Sequence, residues 1–347
     1  AIPDPLWSRG LGDVYKRQLL GLGSFPSGHP LSMGMLGMHG MYWSNISVDQ
    51  ADLIVGVGMR FDDRVTGKVD TFAPHARIVH MDIDPSQIGR NVPVEIPIVG
   101  DAKALLKNLA PMVTNVPRPD WMQYIENLKR DHPSLSIPAS DVLQPQQVIS
   151  AMDALVQENP DTTIVTGVGQ HQMWAAQFLS FNHENTFVSS GGLGAMGFEL
   201  PAALGVQVAK PEAPVWVVAG DGGFQMTLQE LVTLTEEGLP VKIALINNGH
   251  LGMVKQWQEM YYDGHLKAVP VDGPDFIKLA EAYGVNATRV TEYEDVLPAL
   301  RQAQAHDGPF LVEFVVDSST NVYPMVPPGG SLADTIEDPA PTRNTVN

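Results

Sequence analysis

From Asp52 onward the chain alternates short apolar runs with helix-compatible stretches. DLIVGVGMRF, ARIVHMDID and IPIVGD each end in a polar or glycine-rich turn, as buried parallel strands do. This first α/β unit is expected to occupy 19–116. A polar, Pro-framed stretch, 117–143, carries one amphipathic helix from Asp120 to Asp131 and reads as a linker. The rhythm resumes over 144–317: helix Gln144 to Glu158, strands TTIVTGVG and NTFVSS, helix Glu199 to Ala209, strand VWVVAGD, helix Thr227 to Glu237, then strands VKIALINN and FLVEFVVD. Such alternation predicts an α/β fold of doubly wound parallel sheets covered on both faces. Residues 1–18 follow neither period and read as a leader with no fold element. The Pro- and Gly-rich tail, 318–347, reads as extended or partly disordered. No internal repeat of fixed period is visible.

Composition narrows the functions. Apolar runs such as Ala213 to Ala219 fall far short of the ~20 residues of a membrane helix. With 21 basic and 39 acidic residues the formal charge is −18, which argues against a nucleic-acid ligand. An anionic ligand must therefore meet a locally positive pocket. The absence of cysteine excludes disulfides, thiolate metal sites and a cysteine nucleophile, and is compatible with a reducing compartment. His39, His75, His80 and His171 follow no zinc spacing. Asp62 and Asp63, adjacent in the chain, point apart and do not make an acid/base couple.

The constellation that carries chemistry is GDGGFQMTLQELVTLTEEGLPVKIALINN, Gly220 to Asn248. One strand delivers Asp221 at its carboxyl end and a second delivers Asn248, 27 positions later. Both oxygens then reach the sheet edge where open α/β folds bind ligands. A carboxylate and an amide oxygen, with a backbone carbonyl just beyond, suit a hard cation such as Mg²⁺. The Gly222-Gly223 amides near a helix start add an anion site, so a metal-bridged diphosphate is expected. By itself GDG is a turn and NN a strand end; the strand, helix and strand arrangement favours the site. A literal G-x-G-x-x-G at Gly192 to Gly197 invites a nicotinamide reading. The acid expected about 20 residues on is Asp221, which belongs to GDGG instead.

These residues resemble the thiamine diphosphate and magnesium motif. Their companions resemble acetohydroxyacid (acetolactate) synthase: GVGQHQMWAAQ at 167–177, SSGGLGAMGFELPAA at 189–203, GMVKQWQ at 252–258 and PMVPPG at 324–329. GMLGMHG at 34–40 and GMRFDDRVTGKVDTFAPHA at 58–76 look like part of that family's flavin-binding middle domain. The likeness runs from about Leu19 to Gly330.

The resemblance implies a partial FAD-type middle domain followed by a complete thiamine diphosphate domain. It implies Mg²⁺ held by Asp221, Asn248 and the carbonyl of His250. Val168, Gly169, Gln170, His171, Gly194, Gly220, Gly222, Gly223 and Gly252 would surround the cofactor, with Met196 as the wedge beneath it and Met253 and Val254 on its pyrimidine side. FAD contacts are implied for Leu36, Gly37, Met38, His39, Gly58, Arg60, Asp62, Arg64, Val65, Asp82, Ile83, Gly100 and Asp101. Trp257 would shape the acceptor pocket, Arg64 would pair with the acceptor carboxylate as its planar fork suits, and Met38 would lie nearby. Taken singly, Trp257 reads as core, Arg64 as a solvated ion pair, and Met33, Met35, Met38 and Met41 as packing. The implied reaction decarboxylates pyruvate and joins the two-carbon unit to pyruvate or 2-ketobutyrate, in branched-chain amino acid biosynthesis. A bacterial cytoplasmic homodimer or tetramer, with a regulatory small subunit, is the implied setting.

The sequence departs from the family in three ways. Nothing here matches the family's amino-terminal domain, whose glutamate assists the cofactor, or the first half of its flavin domain. The chain thus resembles the later part of a catalytic subunit behind an unrelated leader, and is expected to be inactive alone with an incompletely covered first unit. Glu199 stands where a small residue is usual, and Gly223 where Ser is common. A different thiamine diphosphate 2-keto acid decarboxylase or oxidase would keep GDG and NN but lack RFDDRVTGK and GMVKQWQ. The non-enzyme alternative is a cofactor-binding fragment.

Overall fold

The computed structural model describes residues 15–17, 19–114, 116–339 and 342–345. The chain divides into two compact units, one of 1–18, 29–134 and 323–339, the other of 19–28, 135–322 and 340–347.

In the first unit β1 (Tyr15–Arg17) pairs in parallel with β2 (Ser32–Met35). A strand therefore lies inside the segment that reads as a leader; the rest of that segment lies outside the described residues. Then follow α1 (Tyr42–Asp49), β3 (Leu53–Val57), α2 (Asp63–Thr66), β4 (Arg77–Asp82), β5 (Ile96–Val99), α3 (Ala102–Leu109) and α4 (Pro119–Asp131). β3, β4 and β5 form a parallel sheet in that order, with Val55 opposite Val79 and His80 opposite Pro97. Phe61, Val65, Phe72, Ile78 and Val92 pack with Val326 and Leu332.

That packing revises the expected tail. Its apolar residues are sparse among prolines and glycines, yet Val326 donates its amide to the Met38 carbonyl at 2.7 Å and Met325 bridges Ile336. The expected linker is also structural up to Ser134. Ile125 is fully buried, Tyr42 stacks on His132 at 4.0 Å, and the Tyr42 amide donates to Ser134 Oγ at 2.9 Å. Ile125→Ala is accordingly expected to destabilise this unit by about 2–5 kcal/mol. Urea unfolding of wild type and variant measures it; a loss under about 0.5 kcal/mol, as a surface change gives, would restore the linker reading.

The second unit pairs β6 (Ser136–Pro138) antiparallel with β13 (Thr342–Thr345). Between them run α5 (Pro145–Glu158), β7 (Thr163–Thr166), α6 (Gln170–Phe178), β8 (Phe187–Ser189), α7 (Glu199–Ala209), β9 (Val215–Gly220), α8 (Asp221–Phe224), α9 (Leu231–Glu236), β10 (Lys242–Asn247), α10 (Gly252–Tyr261), α11 (Phe276–Ala282), β11 (Asn286–Val290), α12 (Tyr293–Ala305) and β12 (Phe310–Val315). Helix α5 starts where a capping box forms: the Gln144 amide donates to Gln147 Oε1 at 2.9 Å, with Pro145 at the first helical position.

Six parallel strands form one sheet in the order β11-β12-β10-β9-β7-β8. The all-apolar faces of β9 and most of β10 are buried on both sides, as helices on both faces require. From β7 the chain steps outward to β8 and then crosses back to β9 on the other side. The crevice between the carboxyl ends of β7 and β9 is thus the point where winding reverses, and such a point opens a ligand site. Among the described residues no helix is long and apolar enough to cross a membrane.

Candidate functional site

Because all six strands are parallel, their last residues emerge on one edge. β7 ends just before Gln170 and His171, both buried. β9 ends at Gly220, just before Asp221, which is 3 % exposed. β10 ends before Asn248, and Gly249 turns the chain with φ +66°, a conformation that disfavours a side chain.

Hydrogen bonds tie these ends together. Asn248 Nδ2 donates to Gln170 Oε1 at 3.2 Å, and the His250 amide donates to Asn248 Oδ1 at 3.0 Å. Gln170 Nε2 donates to Gln256 Oε1 at 3.1 Å, and the same oxygen accepts the Val322 amide at 2.9 Å. The His171 ring lies over the backbone of Gly220, where a side chain would come within 2.8 Å of its Nδ1. Among the described residues buried His171 Nε2 has no hydrogen-bond partner. A side chain at Gly222 would meet Leu251 at 2.7 Å and approach the Met196 methyl at 3.9 Å, and one at Gly252 would overlap the Gln170 amide. These glycines keep the crevice open at the backbone.

Burial pushes the Asp221 carboxyl up to about 6, against the opposing pull of its own and the Gly222 amide and of His250. Burial lowers His171 to about 4, so the ring is neutral at pH 7. A hard cation would favour ionised Asp221 and displace its proton. Among the described residues no cluster of three His, Cys, Asp or Glu could hold a metal, so a cation here depends on amide and carbonyl oxygens beside Asp221. That oxygen donor set, the glycine-lined crevice and the unpartnered His171 nitrogen fit a metal-bridged diphosphate.

Beside this crevice Met253, Val254 and Trp257 line a cavity of about 780 Å³ with Tyr261, His265 and Lys267. Trp257 stands edge-on to Tyr261 at 5.6 Å. Gln258 fastens the loop beyond, accepting the Lys267 amide at 2.7 Å. Val168 is half-buried in the turn after β7. A side chain at Gly194 would point into open space.

The remaining candidates belong to the first unit. Gly58, Asp82 with Ile83, and Gly100 with Asp101 stand at the carboxyl ends of β3, β4 and β5. Asp82 Oδ1 accepts the Asp84 amide at 2.9 Å, and Asp101 caps α3 by accepting the Ala104 amide at 2.9 Å. Gly37 lies against Arg64 and Val65, and the Met38 amide donates to the Arg64 carbonyl at 2.7 Å. Leu36 and His39 are buried, and burial lowers His39 to about 4. Arg60 pairs with Asp62 at 2.8 Å. The Arg64 side chain is 65 % exposed and lies 3.4 Å from Asp63, the arrangement of a solvated ion pair. Met38 and Arg64 fall in one unit and Trp257 in the other.

Two residues went unnoticed as members of the site. Gln256 fixes Gln170, but nothing in GMVKQWQ distinguishes it from a surface amide. Glu199 is fully buried; its size at a small-residue position was the visible signal.

Comparison with known proteins gives the family of both units. Residues 167–314 match the thiamine pyrophosphate enzyme C-terminal TPP binding domain, and residues 15–109 match the thiamine pyrophosphate enzyme central domain. The chain belongs to the thiamine pyrophosphate enzymes. Within that class it is a homologue of acetolactate synthase large subunits. It is 46% identical over 328 residues to the acetolactate synthase large subunit of Corynebacterium glutamicum, covering 91% of this chain and 52% of that protein. Acetolactate synthase of Mycobacterium leprae is 45% identical over 326 residues, 90% of this chain and 52% of the relative. Acetolactate synthase 1, chloroplastic, of Zea mays is 41% identical over 334 residues, 92% and 52%. The chain spans about half the length of the curated relatives it matches.

Proposed function

We propose that this chain is the cofactor-holding portion of an acetolactate synthase, acting in the whole protein on pyruvate and a second 2-keto acid, pyruvate or 2-ketobutyrate. The observation that carries the reading is buried Asp221 facing the Asn248–His250 turn at a topological switch point, with Gln170 hydrogen-bonded to Asn248. Thiamine diphosphate, when bound, supplies the carbon nucleophile and electron sink for decarboxylation and carbon–carbon bond formation. The chain supplies position. Asp221, Asn248 Oδ1 and the His250 carbonyl would hold Mg²⁺, Gln170 and His171 would face the diphosphate, and Met196 would support the rings from below. The Trp257 cavity would receive the acceptor beside the cofactor. FAD is proposed to lie along the edge marked by Gly58, Asp82 and Gly100. The homologues' large-subunit name supports a regulatory small subunit as partner, and a multimer in the cytoplasm completes the proposal.

Calorimetric titration of thiamine diphosphate into the full chain tests it. Saturable binding that requires Mg²⁺ and disappears with a chelator is expected. Binding indifferent to the chelator would refute the metal-bridged site.

A further inference from the structure

The crevice between β7 and β9 contains an acid that the cofactor reading leaves unused. Glu199, the first residue of α7, is 0 % exposed, and among the described residues only backbone amides, its own and that of Gly197, approach its carboxyl. A side chain at Gly167 would collide with this carboxyl, and one at Gly223 would come within 3.1 Å of Oε1. Gly167 follows β7 just before the turn to Gln170 and His171, and Gly223 lies two residues beyond Asp221. The carboxyl is therefore wedged between the two backbone segments proposed to hold the diphosphate. The departures at 199 and 223 meet in space: a side chain at position 223 would press on the Glu199 carboxyl.

A buried carboxyl with no side-chain partner is costly and calls for an explanation. We propose that Glu199 is a positioning residue of the diphosphate site, which as a neutral acid sets the spacing of the two segments and as a carboxylate would repel the anion they hold. The inference rests on the cofactor reading above. Burial pushes the Glu199 carboxyl up to about 7, with its own amide and that of Gly197 opposing. Among the described residues the crevice also holds His171 on the β7 side, Asp221 on the β9 side, and His250 beyond β10, near which Lys255 and Glu259 pair with each other. His171 is neutral and Asp221 is acidic, so neither offers Glu199 a cation. Anion binding beside it favours the protonated form further.

The test titrates thiamine diphosphate, at saturating Mg²⁺, into the full chain as wild type, Glu199→Gln and Glu199→Ala, at pH 6 and pH 8. Circular dichroism first establishes that each is folded without cofactor. Glutamine keeps the size and cannot ionise. At pH 6, where Glu199 is mostly neutral, wild type and Glu199→Gln should bind alike, while Glu199→Ala binds more weakly. By pH 8 the wild type should bind about tenfold more weakly than Glu199→Gln, since about a tenth of Glu199 stays protonated one unit above a pKa near 7. Asp221, His171 and His250 act on both proteins equally and cancel in the ratio. Buffers of different ionisation enthalpy should report proton uptake on binding at pH 8 in wild type and not in Glu199→Gln. A pH-independent ratio, or Glu199→Ala matching Glu199→Gln, overturns the inference alone. Absence of wild-type binding at either pH overturns the cofactor reading and this inference with it.

Discussion

Replacing Asp221 with alanine is expected to weaken Mg²⁺-dependent binding of thiamine diphosphate by at least about 100-fold. Removing one partner of a buried ion contact costs about 3–5 kcal/mol, and each 1.4 kcal/mol is roughly tenfold. Asp221 is the only carboxylate proposed to contact the cation; Asn248 and the His250 carbonyl bring no formal charge. The substitution also removes a buried acid that burial already holds at about 6, so the cofactor-free variant should be no less stable than wild type. Calorimetry on Asp221→Ala and Asp221→Asn, with thermal melts of both, separates the two effects. Wild-type affinity in Asp221→Ala would mean that the cation, or the cofactor, lies elsewhere.

Phe224→Ala is expected to give the largest loss of stability, about 3–5 kcal/mol. Phe224 closes the short helix that begins at Asp221, is fully buried, and meets Phe276 of α11 at 6.0 Å between ring centres, edge to face. Its ring belongs to the cluster of Val217, Leu231, Ile243 and Leu311. No small side chain can fill the space left among such neighbours. Denaturant unfolding gives the loss directly. Saturating thiamine diphosphate and Mg²⁺ should restore part of it by mass action. A loss below about 1 kcal/mol would show that the GDGGF turn stands independently of the core.

The central strands were legible because a doubly covered parallel sheet needs unbroken apolar runs. VWVVAGD and VKIALINN could be little else, and their carboxyl ends placed Asp221 and Asn248 on one edge before any coordinate. Helix α7 was legible to its end residues. Helices α10, α11 and α12 and strand β11 were not: Pro298 lies inside α12, and NATRV of β11 carries polar residues. The segment of α4 read as a linker because it is polar and framed by prolines, and its one deeply buried residue, Ile125, is invisible to a composition argument. The ordered tail has the same origin, since four or five spaced apolar residues anchor a Pro-rich strand without a period. At the site, polarity and spacing revealed groups that would touch a ligand. Gln256 and Glu199 act behind those groups, and depth is what a linear pattern does not record.

The crevice takes its groups from three strand ends separated by long stretches of sheet and helix: Gln170 after β7, Asp221 after β9, Asn248 after β10. A ligand gripping all three behaves as a removable cross-link among chain segments that otherwise meet only through the sheet. Loss of any one strand from the edge would release it, so occupancy suppresses partial opening of β7, β9 and β10 together. Cofactor supply would then set the lifetime of this half of the chain, with the ligand serving as a structural part before any turnover.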